Sequence, residues 1–324
     1  MFSIRTDLAV EARELYKEGY AGEIPGVSVE EKNYEGVKVV KVSILNEQGV
    51  QAMGKPVGDY ITIEAPDLKE RDLKLEENVA KILANVIKQI TTLSAETNIL
   101  VVGLGNWNVT PDALGPKVVS DIIITRHLKE IIPDEFGNEI SAVSAIAPGV
   151  LGITGIETVE IVKGIVDRIK PDILITIDAL ASRRIERLAT TIQIANTGIS
   201  PGSGIGNMRL AINQESIGIP VIAIGVPTVV DAATIANDTI EYLTNSLIKQ
   251  TKEDSPFYTV LKNMGSEDKY ALIREVLNPY VKDLMVTPKE VDSLIENISS
   301  IISKGINMAL QPNMTIEEMN QLVH

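Results

Sequence analysis

Two aspartates carry the chemical argument in this sequence. Asp112 lies in the stretch Asn98–Pro116, NILVVGLGNWNVTPDALGP. Its apolar, β-branched opening, Ile99-Leu100-Val101-Val102, reads as a buried parallel strand. A tight loop follows at Gly103-Leu104-Gly105-Asn106. Thr110-Pro111-Asp112 then reads as a helix start, with Thr110 as N-cap, Pro111 at the first helical position and Asp112 in the first turn. The helix dipole there favours an ionised carboxylate. Asp178 ends a second apolar strand, in the run ILITIDAL. Both aspartates are thereby predicted at the carboxyl edge of a parallel sheet, where open α/β sheets bind ligands. Two carboxylates projecting from neighbouring strand ends can share a proton and activate water. Spacing alone favours a plainer role, in which each caps a helix or accepts loop N–H groups.

Competing chemistries fail on physical grounds. Gly103-Leu-Gly105-Asn-Trp-Asn108 approaches a dinucleotide fingerprint but lacks its third glycine. A literal G-x-S-x-G stands at Gly198-Ile-Ser200-Pro-Gly202, but the oxyanion N–H after the serine would come from Pro201, which has none. The two histidines are the terminal His324 and His127, the latter in a cationic stretch that suits a surface or helix-end residue. Hydrolytic zinc sites usually take histidine ligands, so no metal and no cofactor is expected. Gly202-Ser-Gly-Ile-Gly-Asn207 could cradle an anion or be a loop beside the site. Trp107 could pack a substrate chain or join the core. Arg183, Arg184 and Arg187 follow Asp178 closely, either as a solvated face with Glu186 or with one guanidinium gripping a substrate carboxylate.

The elements that must position these residues follow from periodicity. Leu8–Lys17 suits a short amphipathic helix, with Asp7 as a candidate N-cap. Val37–Leu45 and Asp59–Glu64 read as strands around the link Gly54-Lys-Pro-Val-Gly58, a β-rich layer ahead of the main sheet. Leu73–Leu93 reads as a helix with Val79, Ile82, Leu83, Val86 and Ile90 on one face. Strands and helices then alternate: strand Ile99–Leu104, helix Pro111–Ile122, strand Ser141–Ile146, helix Ile156–Ile169, strand Asp172–Ile177, strand Thr191–Ala195, strand Pro220–Ile224, helix Asp231–Leu247. This predicts an α/β fold, a doubly wound, mostly parallel sheet with helices on both faces. Lys249–Ser255 reads as a polar link, and Glu267–Leu277 and Pro288–Leu310 as tail helices. The expected organisation is a short lead over residues 1–7, a β-rich addition over 8–72, an α/β core over 73–248 and a helical region over 249–324.

Composition narrows the partners. The 324-residue chain is 44% hydrophobic, enough for a sizeable core, and its net charge of −14 argues against direct nucleic-acid binding. It contains no cysteine, which excludes disulfides and thiolate metal sites. No signal peptide opens the chain and no apolar run reaches 18 residues, so a cytoplasmic protein without membrane contact is expected.

Longer strings carry a resemblance. Gly103–Pro116, Ala147–Thr158, Ile177–Ala181 and Gly225–Ala232 resemble the germination proteases of spore-forming Firmicutes, as do Arg5–Glu11 and Leu284–Asp292. The resemblance covers nearly the whole chain. It implies an atypical aspartic endopeptidase with a core similar to hydrogenase maturation proteases, Asp112 and Asp178 as the essential pair, and no cofactor. It implies small acid-soluble spore proteins as substrates, a homotetramer, the spore core as location, and synthesis as a zymogen. Thr6-Asp7-Leu8-Ala9-Val10-Glu11 is similar to the family's substrate site, which implies self-cleavage at Asp7-Leu8 with Glu11 as a second acid. It also implies that Arg183 or Arg184 reads the acidic residue before the cut. The lead before Arg5 and the segment Lys249–Ser266 are shorter than in many members. A metal-dependent peptidase, with the two aspartates as ligands, and a non-catalytic acidic scaffold are the competing expectations.

Overall fold

The computed structural model describes residues 6–19, 22–131, 140–202, 209–251, 255 and 284–314. In chain order these form α1 (Ala9–Gly19), β1 (Val27–Tyr34), β2 (Val37–Ile44), α2 (Glu47–Met53), β3 (Gly58–Glu64) and α3 (Leu73–Ile90). Next come β4 (Asn98–Gly103), α4 (Leu114–Ser120), α5 (Arg126–Ile131), β5 (Ala142–Ile146), α6 (Leu151–Thr154), α7 (Thr158–Ile169), β6 (Ile173–Ser182) and β7 (Thr191–Ala195). The chain continues through α8 (Gln214–Ile217), β8 (Val221–Asp231), α9 (Ala232–Gln250), β9 (Met285–Val286) and α10 (Val291–Leu310). The tail helix expected over Glu267–Leu277 and most of the Gly202–Asn207 loop lie outside the described residues.

One sheet runs through the molecule in the order β1-β2-β3-β7-β8-β6-β4-β5, with β9 pairing β8. The expected α/β architecture is what forms. β5, β4, β6 and β8 are mutually parallel, the arrangement that alternating strands and crossover helices produce. The β-rich addition is not a separate layer. β1, β2 and β3 pair antiparallel and join the main sheet through β3 and β7. β7 itself runs antiparallel to β8. β1, which sequence reading passed over, is a charged edge strand (VSVEEKNY), and those charges protect an edge from further pairing.

Alternation along the strands divides the core. Ile173, Ile175 and Ile177 of β6 face α3, α4 and α10, with Val79, Leu83 and Ile87 of α3 and Ile298, Ile302 and Ile306 of α10 filling that layer. The tail helix α10 is therefore part of the main core. On the other face, Leu174 packs with Val162 and Val166 of α7, while Leu180 packs with Leu8 and Val10 beside α1. Asp178 shares that face by the two-residue period and falls between the two clusters.

Several local expectations differ from the structure. β6 does not stop before Asp178 but runs on to Ser182, because β8 extends alongside it to Asp231, with a register shift between Leu180 and Ala181. Thr110 is not an N-cap: Thr110–Asp112 is a 3₁₀ turn with Val109 in the capping position, and α4 begins only at Leu114. Asp7 does not cap α1 either, since Ala12 N–H donates to Leu8 O (3.1 Å) and Leu8 occupies that position.

A close backbone approach holds the Asp112 turn. A Cβ on Gly115 would stand 2.3 Å from Leu104 O and 2.7 Å from Ile177 O, and one on Gly103 2.1 Å from Gly115 O. These neighbours are backbone atoms of the residue after β4, of β6 and of α4, which cannot step aside as the end of a flexible side chain can. Gly115→Ala is expected to cost about 1–3 kcal/mol, as overpacking does, and to shift the Asp112 turn. In Gly164→Ala the new Cβ meets nothing within 4 Å, so its Tm should equal or exceed that of wild type. Thermal unfolding of both variants checks the pair; an unchanged Tm in Gly115→Ala would refute the contact's role.

Candidate active site

Asp178 sits mid-strand in β6, opposite Gly225 of β8 and one residue beyond the Gly103–Ile177 pair that ends the β4 ladder. It is 5% exposed. Its Oδ1 accepts the N–H of Ala179 at 2.9 Å. Burial pushes its pKa well above the carboxylate range, and the nearby Asp112 and Asp7 carboxylates push it further. Asp112 lies in the 3₁₀ turn, packed against β6 and β8 and partly open to solvent. Burial raises its pKa to about 6, against a lowering hydrogen bond from the Asn106 backbone. The loop closes through Asn106 N–H on Asp112 O (3.0 Å), with Gly105 at φ 115° because any Cβ would stand 2.0 Å from that carbonyl. The two aspartates are thus neighbours whose carboxyls both resist ionisation.

Asp7 completes the cluster. Its N–H donates to Ala181 O and its Oδ2 accepts Ala181 N–H, both at 2.9 Å, so this residue pairs with β6 three positions beyond Asp178. The Asp7–Leu8 peptide lies in non-helical chain ahead of α1, rather than in the helical turn that a capping Asp7 would impose. Its carbonyl accepts Lys55 Nζ at 2.8 Å and Gln193 Nε2 at 3.1 Å. Leu8 is fully buried, and Ala9 N–H donates to Gln193 Oε1 at 2.7 Å.

The arginines are drawn into the same arm. Glu11, fully buried, accepts the backbone N–H groups of Arg183 (2.6 Å) and Arg184 (3.1 Å), and pairs with Arg187 Nη1 (3.0 Å). Arg183 is buried, with its guanidinium on Glu18 (2.7 Å) and Asp238 (3.1 Å). Arg187 also takes Glu14 and Glu64. These two do not form a solvated face, because the acids of α1 lie along them. Arg184 keeps a half-exposed side chain, 3.4 Å from Glu14. Trp107 is 54% exposed on the loop after β4 and takes no place in the core. His127 is exposed at the start of α5. Among the described residues, no three His, Cys, Asp or Glu side chains converge as metal ligands would.

Sequence reading passed over Lys55 and Gln193. The available signals were a lysine between glycine and proline in a short link, and a single amide in the apolar strand TIQIA.

Both aspartates resist ionisation in the folded state, so each binds more protons folded than unfolded above pH 4. Stability therefore falls as pH rises through that window. Asp112→Asn should gain Tm over wild type between pH 4 and about 6 and hold a constant lead above it. Asp178→Asn should likewise gain Tm over wild type as pH rises from 4. Tm measured from pH 4 to 8 checks this; parallel curves for wild type and both variants would show that neither carboxyl is perturbed.

Comparison with known proteins agrees over the full length. The family model described as Germination protease matches residues 6–265 and 244–323. The germination protease of Caldanaerobacter subterraneus subsp. tengcongensis is 68% identical over 324 residues, covering 100% of this chain and 99% of that one. That of Clostridium tetani is 56% identical, covering 99% of this chain and 100% of its own, and that of Bacillus cereus 43%, covering 100% and 98%. Among solved structures, the [NiFe] hydrogenase maturation protease HycI of Thermococcus kodakarensis aligns with 68% of this chain and 98% of its own, at 17% identity and a TM-score of 0.34. A likeness of that degree supports no statement about activity. The family match and the full-length relatives do: the chain belongs to the germination protease family, a family of peptidases.

Proposed function

We propose that this chain is an endopeptidase that initiates degradation of small acid-soluble, DNA-binding spore proteins at germination, with Asp112 and Asp178 as its catalytic pair. The observation that carries the reading is the juxtaposition of two carboxyls, Asp178 buried in β6 where the β4 ladder ends and Asp112 half-buried in the turn packed against β6 and β8. Near neutral pH Asp112 is largely ionised and takes a proton from the attacking water. Asp178, the more deeply buried of the two, delivers a proton to the leaving amine. The pair then resets by passing one proton from Asp112 to Asp178.

The chain is made as a zymogen in this reading, with residues 1–7 as propeptide and Asp7–Leu8 as the self-cleavage bond. Support comes from the arm itself: the Asp7 carboxylate is felt by Asp178, and the following residues run along the arginine cluster. Releasing Leu8 from its core costs roughly 1.5–3 kcal/mol, which makes separation of the new end slow. In cleavage of other chains, Arg184 and Trp107, both half exposed, read the acidic residue before the cut and pack the chain beside it. Arg183 joins them where a substrate acid displaces Glu18 or Asp238. The enzyme acts as a homotetramer in the spore core. Among the described residues no helix is long and apolar enough to cross a membrane.

Asp112→Asn and Asp178→Asn are each expected to lower cleavage of a small acid-soluble spore protein by at least about a thousandfold while the fold persists, read by mass analysis beside circular dichroism. Wild-type turnover in either variant would end the two-carboxylate mechanism. Activity should also survive exhaustive EDTA treatment. Loss on chelation with recovery on added zinc would favour metal-dependent hydrolysis, and binding without any cut would favour a scaffold. A new N-terminus at Leu8 should appear in wild type and not in Asp112→Asn; an unchanged terminus in a fully active protein would remove the self-processing step.

A further inference from the structure

We propose that Lys55 and Gln193 form the oxyanion-stabilising pair of this site, polarising the carbonyl of the bond to be cut and holding the charge that develops on its oxygen. The proposal rests on the reading of Asp7–Leu8 as a scissile bond. It starts from one carbonyl oxygen that receives two side-chain donors, Lys55 Nζ at 2.8 Å and Gln193 Nε2 at 3.1 Å. Both donors already reach the ground-state carbonyl oxygen, from which the developing oxyanion is displaced only as its carbon becomes tetrahedral. No regular element supplies either bond. The partners stand 48 and 186 residues away in the chain and converge on this oxygen.

Each donor is positioned by its own surroundings. Gln193 lies in β7, opposite Gly225 of β8, which in turn lies opposite Asp178 of β6, so Gln193 and Asp178 share one row and one face of the sheet. Its amide orientation is set by use: Oε1 takes Ala9 N–H at 2.7 Å, which leaves Nε2 for the Asp7 carbonyl. One side chain thereby grips the chain on both sides of the Asp7–Leu8 bond. Lys55 follows Gly54, which closes α2 in the left-handed conformation (φ 64°), and Tyr60 OH donates to Pro56 O at 3.0 Å to hold the turn. The ammonium is buried, which lowers its pKa, and the charges of Asp7 and Glu11 act against that shift.

The step balances without any further reactant. Water oxygen bonds to the Asp7 carbonyl carbon as its proton passes to Asp112. The carbonyl π pair moves onto the oxygen between Lys55 and Gln193. On collapse the C–N bond breaks, Leu8 nitrogen takes the proton of Asp178, and an acid and an amine result. Asp112 and Asp178 handle protons, and Lys55 and Gln193 hold charge, so neither pair substitutes for the other.

The test uses the full-length protein and a peptide of residues 3–12 of its own sequence as substrate in trans. Lys55→Met should lower kcat by about 10²-fold or more, the loss typical of one oxyanion donor, with KM within threefold of wild type. Lys55→Arg should recover part of the loss. Gln193→Glu, which keeps the acceptor for Ala9 N–H and removes the donor, should lower kcat similarly. It carries the test should Lys55→Met not fold. A phosphonamidate analogue, tetrahedral and anionic at the Asp7 position, should lose affinity for Lys55→Met by the factor lost in kcat/KM. Wild-type kcat in Lys55→Met or in Gln193→Glu overturns the proposal. So does a rise in KM alone, which would make the pair an anchor for the N-terminal arm. Asp112→Asn run in parallel separates the readings: a dead Asp112→Asn beside a fully active Lys55→Met leaves the two aspartates standing and removes the oxyanion pair. If wild type cuts neither the peptide nor itself at Asp7–Leu8, the scissile-bond reading and this proposal fall together.

Discussion

The burial of one carboxyl group in the middle of a sheet is the constraint on which the rest of the site depends. At 5% exposure, Asp178 as a carboxylate would forfeit its hydration, and the charges beside it, Asp112 and Asp7, are of its own sign. A proton is the cheapest way to settle that charge, so Asp178 stays neutral far above the pH at which a solvated aspartate ionises. A second carboxyl can then be useful only if it is close and wetter. Asp112, in a short turn at the sheet edge, meets both conditions. The contact of Gly115 with the backbone of Leu104 and Ile177 sets how near that turn comes. The stability that both carboxyls forgo in the folded state is the physical cost of keeping two buried acids side by side.

The N-terminal arm is the second organising feature. Asp7 continues the hydrogen bonding of β6 at Ala181, and Glu11 gathers the start of the Arg183–Arg187 segment onto α1. A buried carboxylate with two backbone N–H donors and a guanidinium is fully satisfied, and removing one partner from such a hub leaves an uncompensated charge. The arm therefore links the dyad, the arginine cluster and the β2–β3 face through bonds that span the chain. The segment proposed as the self-cleavage site is held beside Asp178 by the pairing of Asp7 with Ala181. Its apolar residue Leu8 is stored in the core, and its carbonyl is the one that draws Lys55 and Gln193. On the proposed reading, resistance to cutting and readiness to cut come from the same contacts.

By itself the sequence determined the sheet's parallel core, the helices that cover it and the candidate pair Asp112 and Asp178. Those features rest on local signals: β-branched runs of strand length, the 3.6-residue apolar period of Leu73–Ile90, and aspartates at the junctions after apolar runs. The same local signals misplaced Thr110 and Asp7 as caps, because a capping residue looks alike whether its side chain meets the nearest N–H or one far away in the chain. Only the tertiary structure decided that both carboxyls resist ionisation, since that depends on how deeply each is buried and not on its neighbours in sequence. It also decided that Asp7 would pair with Ala181, 174 residues on, and that Lys55 and Gln193 would meet at one carbonyl. No periodicity records such pairings, because each is made by packing between elements whose separation in the chain carries no pattern.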